Sequence, residues 1–294
     1  MIETDKLKKM AIEWGQADDK RDQGLDAHPD DISRQDNISY GNFGQDSLLD
    51  IYRPKKLRNK ILPTIISVHG GGYFYGDKER YQYYCLALAR YGFVVINFNY
   101  RLAPEYPYPA AIDDVAGLID WLDQNADEYL LDRKNFFVVG DSAGGQLAEQ
   151  YLTIYSSRNY RDLFSFKKPH FHISAAALNS GVYFLDEDKT ITGPLKAYFD
   201  KHAVNDLGEQ LKVENFITKE FPPVYVATAV DDFLKEKGVS LDRFLEQKNI
   251  EHQFKIYGDE QHRRGHVFHL DQHDKLAKEC NDAEIEFFLK HIDK

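Results

Sequence analysis

A serine flanked by small residues is the first feature of the sequence that could do chemistry. Residues 140–144 (Gly-Asp-Ser-Ala-Gly) directly follow the apolar run 136–139 and precede a segment of helical character. A tight strand-to-helix turn lifts a serine hydroxyl above a sheet, and small flanking residues leave room for that turn. The following helix would also direct free N–H groups and a partial positive charge at the serine. The pattern predicts a nucleophile at Ser142, and an ordinary N-cap serine in a glycine-rich turn is the alternative.

A run of glycines follows another strand-like segment. Residues 69–72 (His-Gly-Gly-Gly) come directly after the apolar run 62–68. Successive glycines let backbone N–H groups approach a ligand without interference from side chains. Such donors can hold the oxyanion of a tetrahedral intermediate, each contributing about 3–4 kcal/mol in the transition state. Flexible turns also produce glycine runs, so the prediction depends on this run and Ser142 both following strands.

The elements that would position these two segments alternate along the chain. Apolar runs of strand character are separated by helical segments, which predicts an α/β fold with a mostly parallel sheet and helices on both faces. The predicted strands are 48–52, 62–68, 93–98, 136–139, 173–178, 224–229 and 253–256. The predicted helices are a short one near 7–14, then about 78–91, 110–127, 143–156, 234–248 and 274–291.

Two segments depart from this alternation. Residues 1–45 are polar apart from the short helix, and 26–36 has the composition of a loop. Residues 182–221 hold an irregular mixture of aromatic residues that is too long for a plain connection. We therefore expect one domain over 1–294, with cap elements formed by about 1–45 and 182–221.

An acid and a general base for Ser142 would have to follow it in the chain. After the apolar run 224–229 come Asp231 and Asp232, and either carboxylate could orient an imidazole. Spaced histidines near the C-terminus could also indicate a metal site. We expect no metal, because Gly265 interrupts a helix there and no cysteine or carboxylate set completes a ligand shell. The histidines are His262, His266, His269 and His273.

Taken together, these motifs resemble the hormone-sensitive-lipase family of carboxylesterases in the α/β-hydrolase superfamily. Residues 69–72, 99–105 (Asn-Tyr-Arg-Leu-Ala-Pro-Glu) and 140–145 stand in the family's order and approximate spacing. The similarity runs from about Leu48 to the C-terminus. The resemblance implies the α/β-hydrolase fold with a small cap. It also implies an oxyanion hole formed by the backbone N–H groups of Gly71, Gly72 and Ala143.

The same resemblance selects the two remaining candidates. Family members usually carry Asp-Pro-Leu after this strand, and alignment on Leu234 selects Asp232, with Phe233 in place of proline. The family's His-Gly-Phe matches residues 266–268 at two of three positions, which selects His266. The alternatives that remain are Asp231 for the acid, and His262 and His269 for the general base.

The activity implied by the resemblance is hydrolysis of short-chain carboxylic esters through an acyl-enzyme on Ser142, without a cofactor. Tyr73 and Phe74 follow the glycines and could narrow the acyl pocket, or could simply pack under the cap. Carbohydrate acetyl esters, feruloyl-type esters and amides are alternative substrates for the same triad. A non-catalytic receptor is a further alternative, since some relatives bind a small molecule after losing the catalytic histidine.

Composition bounds the location and the partners. A net charge of −11 argues against nucleic acid, whose phosphates would be repelled. No stretch approaches the roughly 18 unbroken apolar residues of a membrane span. The two cysteines make no disulfide framework, and no apolar signal core follows Met1. We expect a cytoplasmic protein that binds a small-molecule ester. The sequence leaves open whether it forms a homo-oligomer.

Overall fold

The architecture is built on one eight-stranded sheet. The structure, a computed structural model, describes residues 4–185 and 190–293. The strands are β1 (Ile32–Ser39), β2 (Leu48–Pro54), β3 (Leu62–Val68), β4 (Val94–Phe98), β5 (Leu131–Asp141), β6 (Ile173–Asn179), β7 (Val224–Ala229) and β8 (His252–Tyr257). Their order across the sheet is β1-β2-β4-β3-β5-β6-β7-β8. Strands β3 to β8 run parallel, whereas β1 and β2 pair antiparallel with their neighbours.

Helices connect the strands and cover the sheet. They are α1 (Thr4–Arg21), α2 (Lys78–Ala89), α3 (Ala110–Asn125), α4 (Ala143–Ser156), α5 (Arg158–Arg161), α6 (Lys201–Asp206), α7 (Lys235–Gln247) and α8 (Lys275–Lys290). The connection from β6 to β7 also contains the 3₁₀ turns Gly193–Ala197, Gly208–Leu211 and Val213–Phe216. Among the described residues, no helix combines the length and apolarity that crossing a membrane requires.

The two faces of the sheet carry separate apolar layers. Successive residues of a strand point to opposite faces, so Ile66 and Ile96 pack with α3 and α4 while Ile65 and Val95 pack with α2 and α8. Burying each such side chain contributes about 1.5–3 kcal/mol. Because helices cover both faces of the sheet, most positions along the central strands are buried, and these strands are nearly continuous in apolar residues. The predicted mostly parallel sheet with helices on both faces is confirmed.

The parallel strands bring the chemically interesting segments to one edge. Strands β3 and β5 are neighbours, and β7 lies two strands beyond β5. Because the carboxyl ends of parallel strands share an edge of the sheet, residues 69–72, Ser142 and Asp232 all follow strands at the same edge. In open α/β sheets, ligands bind in the crevice outside these carboxyl ends.

The prediction of a loop over 26–36 is wrong from Ile32 onward, because β1 begins there. This edge strand pairs with β2 through its backbone, and only its ends contribute apolar contacts, through Ile32 and Ile38. Backbone pairing does not require apolar side chains, so a polar edge strand gives little hydrophobic pattern. Polar and charged side chains on an edge strand also discourage pairing with other chains.

The N-terminal helix is longer than the sequence predicts. It spans Thr4–Arg21 instead of 7–14, although Leu7 and Gly15 are its only buried residues among those described. Lys, Glu, Gln and Arg in its flanks are good helix formers without being apolar, which explains the underestimate. One domain with caps at 1–45 and 182–221 stays a prediction. Residues 1–3 of the first cap and 186–189 of the second lie outside the described residues.

Candidate active site

Ser142 occupies a strained turn between β5 and α4. Its backbone has φ +53° and ψ −118°, a region that residues other than glycine rarely adopt. A Cβ at Gly140 would collide with the carbonyl oxygen of Gly144, and one at Gly144 would collide with that of Val68. The two glycines are therefore sterically required, and the turn places the hydroxyl of Ser142 at the edge of the sheet.

The structure brings Ser142 together with His266 and Asp232. The Oγ atom of Ser142 lies 2.9 Å from Nε2 of His266, and Nδ1 of His266 lies 2.8 Å from Oδ1 of Asp232. The histidine comes from the segment between β8 and α8, and the aspartate from the turn after β7. This is the geometry of a nucleophile, a general base and a carboxylate that orients the base.

Asp232 is fixed by the turn in which it lies. Its Oδ2 atom accepts a hydrogen bond of 2.9 Å from the hydroxyl of Thr228, and its Oδ1 atom accepts one of 2.8 Å from the N–H of Leu234. Burial alone would raise the pKa of Asp232. The hydrogen bond and charge of His266, together with hydrogen bonds from Ser180 and Leu234, outweigh burial and lower the pKa below its usual value. The carboxylate is therefore ionised and aimed at the imidazole.

The alternative acid and bases have other partners. Asp231 is exposed and forms a two-pronged ion pair with Arg263. His262 is exposed and hydrogen-bonds Asp259, whereas His269 is buried and its pKa is lowered to about 3 by burial. The histidines thus do not converge on a common point. Among the described residues, no group of three or more His, Cys, Asp and Glu side chains is arranged to hold a metal ion.

The glycine run forms a tight loop after β3. Gly71 has φ +112° and Gly72 has φ +61°, values that favour glycine. A Cβ at Gly71 would collide with the carbonyl oxygen of Tyr75. The N–H of Tyr75 donates to the carbonyl oxygen of Gly71 at 3.0 Å, which closes the loop. In the described part of the chain, the N–H groups of Gly71, Gly72 and Ala143 donate to no backbone carbonyl. They are the three donors to an oxyanion that the family resemblance implies.

His69 has a supporting place in this loop. Its ring stacks on Tyr100 with centroids 4.1 Å apart, and the Tyr100 hydroxyl donates to the His69 carbonyl at 2.7 Å. Burial lowers the pKa of His69 to about 4, so the ring is neutral. These contacts fix the start of the glycine run where β3 ends.

Tyr73 and Phe74 turn in different directions. Tyr73 is fully buried, donates to Oε1 of Gln146 at 2.9 Å and stacks on Tyr198 with centroids 4.5 Å apart. Phe74 packs against Trp14 of α1, with centroids 5.0 Å apart. Both rings lie beside the glycine loop, and their contact with a substrate stays a prediction.

The sequence gives no signal for a tyrosine that links the glycine loop to the turn of Ser142. The hydroxyl of Tyr81 donates to Oδ2 of Asp141 at 2.8 Å and accepts from the N–H of Gly70 at 2.8 Å. Burial raises the pKa of Asp141 to about 7, although the Tyr81 hydrogen bond opposes that rise. Tyr81 lies in a run of several aromatic residues on α2, and only the packing of α2 onto the sheet distinguishes it from them.

Comparisons with known proteins show which family the chain belongs to. A family model described as BD-FAE matches residues 49–239. The carboxylesterase NlhH of Mycobacterium tuberculosis is 30% identical over 232 residues, which are 74% of this chain and 72% of that protein. The chain belongs to the hormone-sensitive-lipase family of carboxylesterases. This esterase is also 28% identical to an acetyl esterase of Salmonella dublin over 210 residues, which are 66% of this chain and 62% of that protein.

A solved structure shows the same fold. Esterase B from Lactobacillus rhamnosis superimposes with a TM-score of 0.85 at 24% identity, covering 96% of this esterase and 94% of that chain. The predicted α/β-hydrolase fold is therefore confirmed. The family model and the relatives above confirm the family and show that the protein is a carboxylic ester hydrolase.

Proposed function

We propose that this esterase hydrolyses short-chain carboxylic esters through an acyl-enzyme on Ser142. The observation that carries the proposal is the unbroken line of hydrogen bonds from Ser142 through His266 to Asp232, with heavy-atom distances of 2.9 and 2.8 Å. A receptor that had lost its catalytic histidine would lack this line. Catalysis is therefore the function that the geometry favours.

The proposed reaction has two similar halves. His266 Nε2 takes the proton of Ser142 as Oγ attacks the ester carbonyl, and Asp232 stabilises the imidazolium that forms. The oxyanion is held by the N–H groups of Gly71, Gly72 and Ala143. His266 then protonates the leaving alcohol, and the bond between the carbonyl carbon and that alcohol breaks. Water gives a proton to the same histidine as it attacks the acyl-enzyme. His266 then returns the proton to Ser142 Oγ as the bond between Oγ and the acyl carbon breaks, and the acid is released.

The short acyl range rests on Tyr73. This ring is fully buried, held by Gln146 and stacked on Tyr198, so moving it would break a buried hydrogen bond as well as packing. Each methylene that fits contributes about 0.8 kcal/mol, whereas displacing packed rings costs about 1–3 kcal/mol. Activity should therefore rise slightly from acetyl to butanoyl esters and fall steeply for longer chains.

The experiment that tests the proposal is a p-nitrophenyl ester series on the wild type and Ser142→Ala. We expect the variant to fold and to lose activity by several orders of magnitude, while Ser240→Ala on α7 stays active as the control. A fluorophosphonate should label Ser142 in the wild type, which mass spectrometry can locate. Turnover by Ser142→Ala above about a tenth of the wild-type value would contradict the assignment of the nucleophile.

The same assay separates the alternative substrates. Acetylated sugars, feruloyl esters and amides can be compared with simple esters of the same acyl group, and a much higher kcat/KM for one class would replace the proposed substrate. A plateau beyond octanoyl esters would overturn the short acyl range.

Cys85 and Cys280 are both free and buried, which supports the proposed cytoplasmic location.

A further inference from the structure

An exposed phenylalanine lies against the histidine of the site. Phe233 is 76% exposed, the highest value among the exposed large apolar residues in the described chain. Its ring centroid lies 4.3 Å from that of His266, with 42° between the ring planes. Isolated exposed apolar residues are common, but this one contacts a ring that must remain accessible to the substrate.

The backbone holds Phe233 in this position. The preceding residue, Asp232, is buried, and its N–H donates to the carbonyl of Ala229 at 3.1 Å. The following residue, Leu234, donates its N–H to Oδ1 of Asp232 at 2.8 Å. The turn is therefore closed on both sides of Phe233. Its side chain is presented at the surface beside His266, and no core packing depends on it.

The reaction decides which part of a substrate meets this ring. If Ser142 and His266 act as proposed above, the inference rests on that function: Nε2 of His266 must deliver a proton to the leaving alkoxide oxygen. The alcohol portion must therefore lie within hydrogen-bond distance of His266. The carbonyl oxygen is held by the N–H groups of Gly71, Gly72 and Ala143, and not by His266. A ring that contacts His266 and faces solvent is next to the alcohol, not to the acyl chain.

Further aromatic surface lies beside the glycine loop. Trp14 is 37% exposed and packs on Phe74. A Cβ placed on Gly72 would lie 3.7 Å from the Trp14 ring and 2.9 Å from that of Phe74. Apolar surface is thus available next to the oxyanion loop as well as next to the histidine, which suits an ester whose alcohol is apolar.

We propose that Phe233 is a specificity-determining residue that contacts the alcohol portion of the substrate, and that the esterase prefers esters of aromatic alcohols to those of small alkyl alcohols. An aromatic alcohol can pack on Phe233 by its face or edge, as aromatic rings do with one another. An ethyl group is too short to cover the ring. The preference arises in acylation, because the alcohol has left before water attacks the acyl-enzyme.

The test compares benzyl acetate with ethyl acetate in the wild type and in Phe233→Ala. We expect kcat/KM for benzyl acetate to fall about tenfold, equivalent to about 1.4 kcal/mol, and that for ethyl acetate to change less than about twofold. The rate of deacylation should be the same for both esters, because they form the same acetyl-enzyme. It should also be the same in Phe233→Ala and the wild type, because the alcohol has left before deacylation begins. Phe233→Tyr should keep the preference, and Ile61→Ala, which removes another exposed apolar side chain (66% exposed), is the control.

The outcomes separate this proposal from the proposed function. An equal fall of kcat/KM for both esters in Phe233→Ala would show that the ring acts on His266 and would overturn the proposal, as would no change for either ester. If Phe233→Ala does not fold, kcat/KM for the two esters can be compared between Phe233→Leu and Phe233→Tyr, which change the side-chain volume less. Failure of the proposed function would instead appear as activity of Ser142→Ala on both esters.

Discussion

Tyr81 joins the turn of the proposed nucleophile to the proposed oxyanion loop through one hydroxyl group. It donates to the carboxylate of Asp141, the residue before Ser142, and accepts from the N–H of Gly70, the residue before Gly71. Both partners are fixed by close packing, since a Cβ on Gly70 would lie 2.6 Å from Oδ2 of Asp141. We expect this bridge to set the position of the oxyanion donors relative to the attacking oxygen.

Tyr81→Phe should therefore lower kcat about tenfold with little change in KM. Removing the hydroxyl leaves the N–H of Gly70 without its acceptor, and a buried unsatisfied donor costs about 1–3 kcal/mol. The loop can relieve that cost only by moving. Steady-state kinetics on a butanoyl ester gives both parameters, and Tyr83→Phe on the same helix is the control. An unchanged kcat would show that Tyr81 stabilises the fold without positioning the oxyanion donors.

The two neighbouring aspartates should differ sharply in a kinetic test. Asp232→Asn keeps the shape of the turn but loses the charge that holds the tautomer of His266, so kcat should fall by about three to four orders of magnitude. Asp231→Asn only breaks an exposed pair with Arg263, and such pairs contribute about 0–1 kcal/mol to stability. We expect it to keep kcat within about twofold. Comparable losses in the two variants would contradict the alignment on Leu234.

At the scale of elements, helix α1 is held against the oxyanion loop mainly by polar contacts. The Tyr75 hydroxyl donates to Oδ2 of Asp18 at 2.6 Å, and Arg80 forms an ion pair of 2.5 Å with Asp19. The ring of Trp14 covers Phe74. The helix thus contacts the segment that directly follows the glycine run, and we expect it to stabilise the conformation of that segment.

Deleting residues 1–21 should lower kcat about tenfold while the sheet remains folded. The deletion removes the Tyr75–Asp18 bond and the Trp14–Phe74 packing, each of which contributes about 0.5–1.5 kcal/mol in comparable settings. Tyr75→Phe removes only the hydrogen bond and should have a smaller effect. Kinetics together with circular dichroism checks both. A folded deletion variant with wild-type kcat would show that α1 does not support the oxyanion loop.

The sequence predicts the nucleophile and the glycine loop because local sterics require their residue types. Gly71, Gly140 and Gly144 each lack room for a Cβ, so any chain with this turn must show the same small residues. The central strands are predictable for a similar reason, since burial on both faces requires apolar residues throughout. Residue type alone does not distinguish Asp232 and His266 from the several aspartates and histidines nearby in the sequence, and only the family resemblance selects them.

Other features depend on contacts between distant parts of the chain. Tyr81 meets Asp141 across 60 positions, and neither residue is distinctive in its own segment. The edge strand β1 and the ends of α1 are polar, so periodicity of apolar residues cannot reveal them. In the sequence, Phe233 is distinctive only as a departure from the family's proline. Its contact with His266 required the folded positions of both turns.

At the scale of the whole molecule, one buried acid connects three elements beneath the site. Glu284 of α8 accepts a hydrogen bond of 2.8 Å from the hydroxyl of Tyr84 on α2 and another of 2.8 Å from Nδ2 of Asn179 at the end of β6. Burial raises the pKa of Glu284 to about 7, and the two hydrogen bonds oppose that rise without cancelling it. The folded protein therefore retains this proton at pH values at which the unfolded chain releases it.

This retained proton makes stability depend on pH, and Glu284→Gln should weaken that dependence. The folded pKa lies above the unfolded one, so the contribution to stability is complete below about pH 4.3 and is lost as pH rises to the folded value. In that window, one such group lowers the free energy of unfolding by about 1.4 kcal/mol per pH unit. Glutamine stays neutral, so the variant should lose this slope between pH 5 and 7. Urea denaturation at several pH values measures it, with Glu286→Gln on the exposed side of α8 as the control. Parallel curves for the wild type and Glu284→Gln would mean that Glu284 is ionised in the folded protein throughout this range.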